Sequence, residues 1–177
     1  LTVIIATLPV IDLNVTPANV TFNPVYPTDG EDVTVSVDVG NWGNRTAPAP
    51  ISVKFVDVGA NPVTVIGWDN ITADLAAGAT TTQSIVWPAL AEGNHTIQVS
   101  VDLEDAIWEI REDNNDVTVA LTVNATSDLT VSSLTLNPTY SVDEGNTVNV
   151  DAVVQQTGGG LPVNVNVSFY DDGEWFG

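Results

Sequence analysis

Hydrophobic and polar positions alternate along most of this chain. In residues 32–39, Val33, Val35, Val37 and Val39 interleave with Thr34, Ser36 and Asp38. A period of two is that of a strand with one face buried. The same period predicts strands over residues 13–16, 20–23, 51–57, 63–68, 80–87, 96–102 and 117–123. Gly, Pro, Asn and Asp fill the gaps between them, as in YPTDGED, NWGNRTAPAP, VGANP, AAGAT and AEGN. Short strands at this spacing predict an all-β chain of antiparallel sandwiches. The one helix-like composition, ADLAA at residues 73–77, is too short to hold a helix. Across the sandwich, Val33, Val35, Val37 and Val39 are expected to face Ile97, Val99 and Val101, because a one-residue slip would reverse both faces.

The pattern repeats. Asp12-Leu-Asn-Val returns 116 residues later as Asp128-Leu-Thr-Val. Asn23-Pro24 returns as Asn137-Pro138, and Gly30 as Gly145. DVTVSVDV answers TVNVDAVV at residues 147–154, and SVKFVD answers NVSFYD at residues 166–171. The same spacing carries Leu1-Thr-Val-Ile-Ile onto Val117-Thr-Val-Ala-Leu. Tandem domains are therefore expected. Residues 12–126 form one complete domain and residues 127–177 the first half of a second. Residues 1–11 are the last strand of a preceding repeat, or a strand to be donated to a neighbour.

The most informative stretch is residues 95–123, a strand, an acidic corner and a strand. The corner, DLEDAIWEIREDNND, holds Asp102, Glu104, Asp105, Glu109, Glu112, Asp113 and Asp116 against Arg111. So many acids predict a solvated loop, over which Ile107, Trp108 and Ile110 fold back to close the end of the sandwich. Asn114 and Asn115 suit a tight corner, since Asn tolerates left-handed backbone. This stretch resembles the end of the CARDB family, adhesion-related Ig-like domains of bacterial and archaeal surface proteins. The family pattern of an Asp, Ile-x-Glu, a further Glu and Asn-Asn falls on Asp102, Ile107, Glu109, Glu112, Asn114 and Asn115. Trp108 is an extra bulky residue within it. The family's opening pattern falls on Asp12, Leu13, Val15, Pro24, Gly30, Val33, Asn41 and Gly43. The resemblance implies a seven-stranded sandwich at a cell surface and no catalysis.

Charge narrows the partners. There are 23 acids against 3 bases and 1 histidine, a net charge of −20. Phosphate backbones need a basic patch, so nucleic acid is excluded as a natural partner, and anionic membranes are disfavoured. With no cysteine, disulfides, thiolate metal sites and cysteine nucleophiles are excluded. Residues 1–11 lack the basic region of a secretion signal, and no apolar run approaches the ~20 residues of a membrane span. Any secretion or anchoring signal is expected outside this sequence.

Seven N-x-[ST] sequons, at Asn14, Asn19, Asn44, Asn70, Asn94, Asn124 and Asn166, are candidates for N-glycans. Thr-rich strands also generate this tripeptide by chance. Asn44 and Asn94, in turn-like contexts, are the better candidates. No cofactor is expected. The corner acids Asp102, Glu104, Asp105, Glu112 and Asp116 have oxygens enough for calcium but no EF-hand order, and a solvated loop explains them as well. A Ser-His-Asp triad would have to use His95, which reads as a surface residue, and no GxSxG, HExxH, P-loop or Rossmann fingerprint occurs. Gly158–Gly160 reads as a hairpin rather than a phosphate cradle. Of the tryptophans, Trp87 shares parity with Ile85 and is expected in the core, whereas Trp42 is the best exposed contact.

The sequence thus points to a non-enzymatic, acidic, extracellular structural protein, a surface layer, sheath or filament whose partners are its own copies or other surface proteins. An archaeal surface fits the acidity and the lack of cysteine. The alternative is an adhesin module binding carbohydrate or protein through its loops.

Overall fold

The computed structural model describes residues 8–88, 90–157 and 165–175. Residues 1–7 and 158–164, which include most of the expected donor strand and the triple glycine, lie outside the described residues. The chain divides into two compact units, Leu1–Asn124 and Ala125–Gly177.

In the first unit eight strands follow in order: β1 (Leu13–Asn14), β2 (Val20–Asn23), β3 (Val33–Asn41), β4 (Ile51–Asp57), β5 (Thr64–Ile71), β6 (Thr80–Trp87), β7 (Gly93–Val101) and β8 (Asp116–Val123). They form two antiparallel sheets. In one, β1 and β2 pair with β3, and β6 also pairs with β3. The other has the order β5-β4-β7-β8. The fold is an Ig-like sandwich.

The alternation sets the core. Val33, Val35, Val37 and Val39 from one sheet and Ile97, Val99 and Val101 from the other are buried. Ile51, Val53 and Phe55 of β4 join them in one cluster. Thr34, Ser36 and Asp38 stay at the half-buried outer face. Trp87 is half-buried at the margin of the core rather than inside it, because β6 is an edge strand.

Several elements depart from the expected spans for physical reasons. β1 is shorter than 13–16, since Val15 N–H leaves β3 and donates to Asn114 O at 3.1 Å beside the other sheet. A 3-10 turn, Pro17–Asn19, follows, in which Asn19 Oδ1 accepts from Thr16 Oγ1 at 2.6 Å. β3 runs on to Asn41, whose buried amide donates to Arg45 O (2.8 Å) and Leu75 O (3.0 Å) and accepts from Gly43 N–H (3.1 Å). Gly43 leaves no room for a side chain: a Cβ there would lie 2.3 Å from Val10 O. ADLAA forms no helix. Leu75 instead pairs with Ala47 through two backbone bonds of 2.9 Å.

The second unit has β9 (Asp128–Asn137) and β10 (Asn149–Thr157) as an antiparallel pair with a bulge at Val153/Val154, and a two-residue pair, β11 (Tyr170–Asp171) with β12 (Glu174–Trp175). Gly145, with φ +89°, repeats the left-handed turn of Gly30 at +82°. Leu129, Val131, Leu134, Leu136 and Val153 are exposed on these strands. No described helix is long and apolar enough to cross a membrane.

Candidate functional site

The acidic corner between β7 and β8 is built differently from a solvated loop. Asp102 is buried with φ +47°, and its carboxylate accepts from Ala106 N–H (3.2 Å) and Ile107 N–H (2.8 Å). These bonds fold the loop and deliver Ile107 to the core. Burial raises the Asp102 carboxyl above its ordinary range, against the two N–H groups that lower it. Trp108 and Ile110 do not fold back as expected. They are 75% and 56% exposed, because the chain turns at Glu109 and aims that carboxylate inward instead.

Glu109 is the centre of the corner. It is 4% exposed. One carboxylate oxygen accepts from Leu13 N–H of β1, and the other accepts from Asn115 Nδ2 at 2.9 Å. Burial pushes Glu109 up to about 7; the two bonds oppose the shift and the nearby Glu112 adds to it. Glu112 Oε1 accepts from Glu109 N–H at 3.1 Å. Asn114 Nδ2 donates to Asp12 Oδ1 at 2.9 Å, and Ile110 N–H donates to Ile11 O at 3.0 Å. The residues of the two family motifs, far apart in sequence, thus meet here and sew residues 11–15 to the β7–β8 corner. Their chemistry is that of a clasp.

Among the described residues the corner's carboxylates are not grouped around one point. Its inward carboxylates are committed to N–H groups, and the described residues hold no group of three or more His, Asp or Glu placed to bind a metal ion. The corner acids expected as calcium candidates therefore do not converge.

His95 is not a surface residue as expected. Its Nδ1 meets Asp57 Oδ2 at 2.7 Å and its Nε2 meets Ala91 O at 3.0 Å. Trp87 lies edge-on at 5.1 Å. Asp57 is buried, and its other oxygen accepts from Gly59 N–H (3.0 Å) and Thr96 N–H (3.2 Å). Both imidazole nitrogens are spent on this lock, which leaves none to activate a nucleophile. Sequence reasoning missed the pair. The only signal was an Asp that shares the parity of the apolar Ile51, Val53 and Phe55 at the end of their strand.

The sequons occupy different settings. Asn14 is 6% exposed. Asn19 caps the 3-10 turn. Asn44 is exposed, but its Oδ1 accepts from Val10 N–H (2.7 Å) and its Nδ2 donates to Leu8 O (3.0 Å). Asn94 Oδ1 accepts from Thr122 Oγ1 at 3.0 Å, and Asn124 Nδ2 reaches Pro27 O at 3.4 Å. Asn70 and Asn166 are exposed. Trp42 is 64% exposed, as its turn predicts, and Trp68 is 47% exposed beneath Lys54 Nζ, 4.9 Å from the ring centroid.

Comparison with known proteins bears on the clasp and the sandwich together. The CARDB family profile matches residues 10–119. The crystal structure of the CARDB domain of a Pyrococcus furiosus protein, in complex with di-metal ions, is similar with a TM-score of 0.56 and 23% identity, over 67% of this chain and 97% of that one. The solution structure of the same domain gives 0.52 and 24%, over 66% and 97%. At these identities the likeness concerns the fold alone. The metal ions are a property of that protein. No curated protein matches this chain in sequence. CARDB domains are cell-adhesion-related and associated with the cell surface. With the profile spanning both motifs and the sandwich between them, this chain belongs to the CARDB family.

Proposed function

We propose that the chain is a non-enzymatic structural protein of a surface layer, sheath or filament, in which tandem domains are joined end to end between copies by strand addition. The observation that carries this reading is the second unit. The first unit closes its core between two sheets. In the second, β9 and β10 expose Leu129, Val131, Leu134, Leu136 and Val153. A cleft of about 730 Å³ opens beside them, lined by Leu134, Leu136, Val148, Val150, Phe169 and Tyr170. In the first unit β6 pairs with the outer edge of β3, and β10 answers β3 in the repeat, so among the described residues this edge has no counterpart of β6. An apolar face beside an unpaired edge is a template for another chain. Leu8, Val10 and Ile11 are tied to their own unit, so residues 1–7, which carry no charged side chain, are the natural donor, and a head-to-tail contact of this kind propagates.

The test is self-association of the full chain at high ionic strength, followed by sedimentation and electron microscopy. Concentration-dependent oligomers that disappear on deleting residues 1–7 are expected. A chain that stays monomeric at all concentrations would refute strand donation. The adhesin reading is favoured by Trp42 and Trp108, two aromatic side chains standing out of loops. Saturable binding to a glycan array that is lost in Trp42→Ala would favour it instead.

A further inference from the structure

We propose that Asn70 is an N-glycosylation site whose first sugar stacks on Trp68. The assignment rests on exposure, strand geometry and the neighbours of the seven sequons, and it is independent of self-association.

Asn70 lies on β5, an edge of its sheet. Side chains alternate faces along a strand, so Trp68 and Asn70 share one face. The other face is turned inward. Ile71 is 4% exposed, Asp69 Oδ2 accepts from Ser84 N–H of β6 at 3.3 Å, and a Cβ on Gly67 would strike Ile85 Cδ1 at 2.2 Å. Trp68 and Asn70 therefore stand outward side by side. The Asn70 side chain makes no hydrogen bond with the described residues, so its amide is free to react. Two sequons, at Asn44 and Asn70, have a tryptophan two positions earlier. Asn44 differs in that both atoms of its amide are bound to the backbone of residues 8 and 10. Lys54 Nζ lies over one face of Trp68, and the ring is still 47% exposed, which leaves apolar surface for a sugar's C–H face.

The chemistry requires a membrane oligosaccharyltransferase and a lipid-phosphate-linked oligosaccharide. The Asn70 Nδ2–C1 bond forms. The C1–O bond to the lipid phosphate breaks, its electron pair staying on the phosphate oxygen, and one amide proton is released. The resulting glycan would hang over an edge strand that also exposes Val65, next to exposed Val63. A bulky hydrophilic group there blocks edge-to-edge pairing, the hazard of an uncovered strand.

The test uses the folded full chain, a purified oligosaccharyltransferase, its lipid-linked donor and a free sequon peptide as internal standard. Site occupancy is read by peptide mass spectrometry. Asn70 is expected to be modified at least roughly tenfold faster than Asn14, which must first be exposed by local opening. Asn70→Gln should remove that signal. Glycosylation should also raise the unfolding midpoint by roughly 2–4 °C, and Trp68→Ala should abolish the increment. The site is overturned if the peptide is modified and Asn70 is not, or if Asn14 is modified as fast. The stacking is overturned if the midpoint increment survives Trp68→Ala.

Discussion

Raising the pH should loosen the clasp at Glu109. Its folded-state value of about 7 stands above the ordinary 4.5, so the folded chain binds a proton more tightly than the unfolded one. Stability from this group is then full below about pH 4.5 and is lost as pH rises through about 7. The gap of about 2.5 between the two values corresponds to roughly 3 kcal/mol at most. The Asp102 shift has the same sign and adds to the slope. Glu109→Gln isolates the effect. Glutamine keeps an oxygen for Leu13 N–H and cannot ionise. Its amide can meet Asn115 Oδ1, a buried oxygen with no partner in the native arrangement, once the Asn115 amide turns over. Urea unfolding of both proteins at several pH values between 4.5 and 8, at constant high salt, reads the difference. The two should be of similar stability at the acid end, and Glu109→Gln should be the more stable by roughly 2–3 kcal/mol at the alkaline end. Parallel curves over the whole range would refute the burial argument.

Other outcomes follow from the same structure. Val37→Ala deletes two methyl groups from a fully buried site and should cost roughly 1–3 kcal/mol by chemical unfolding, more if the cavity persists. Gly43→Ala drives a Cβ into Val10 O and should cost roughly 2 kcal/mol or more, whereas Gly78→Ala, with open space around its Cβ, is limited to the strain of φ +72°. With a net charge of −20, the melting midpoint should rise with ionic strength. Millimolar calcium should do no more than monovalent salt of equal ionic strength, and a calcium-specific rise would show that the corner acids do converge on a cation.

How far the fold could be read beforehand depends on where each residue finds its partner. The spans of β2, β4 and β6 follow from alternation alone, because each strand's burial is settled by its own period. β1 could not be read so, since its end is set by Asn114, 99 positions beyond Val15. The motif residues of the corner were visible, but their role was not. Composition treats Asp102 and Glu109 as solvated acids. Their burial depends on N–H groups at Ile107 and at Leu13, the latter 96 residues away, which no local pattern reveals. His95 was misplaced for the same reason, with Asp57 standing 38 residues earlier.

The run of contacts beside β8 has a mechanical meaning. Ile11 meets Ile110, Val15 meets Asn114, and Thr28 bridges Asn124 in parallel, with Asp29 N–H to Asn124 O at 2.7 Å and Asn124 N–H to Pro27 O at 2.8 Å. The entering and leaving segments of the first unit therefore run side by side in the same direction. Tension applied at the two ends draws these segments past each other lengthwise. The bonds and the Glu109 and Asn114 side-chain ties then share the load in shear and have to fail together, whereas an antiparallel pair pulled from adjacent ends would unzip one rung at a time. Such a unit would yield abruptly at high force, and single-molecule stretching of the first unit should show Glu109→Ala lowering that force.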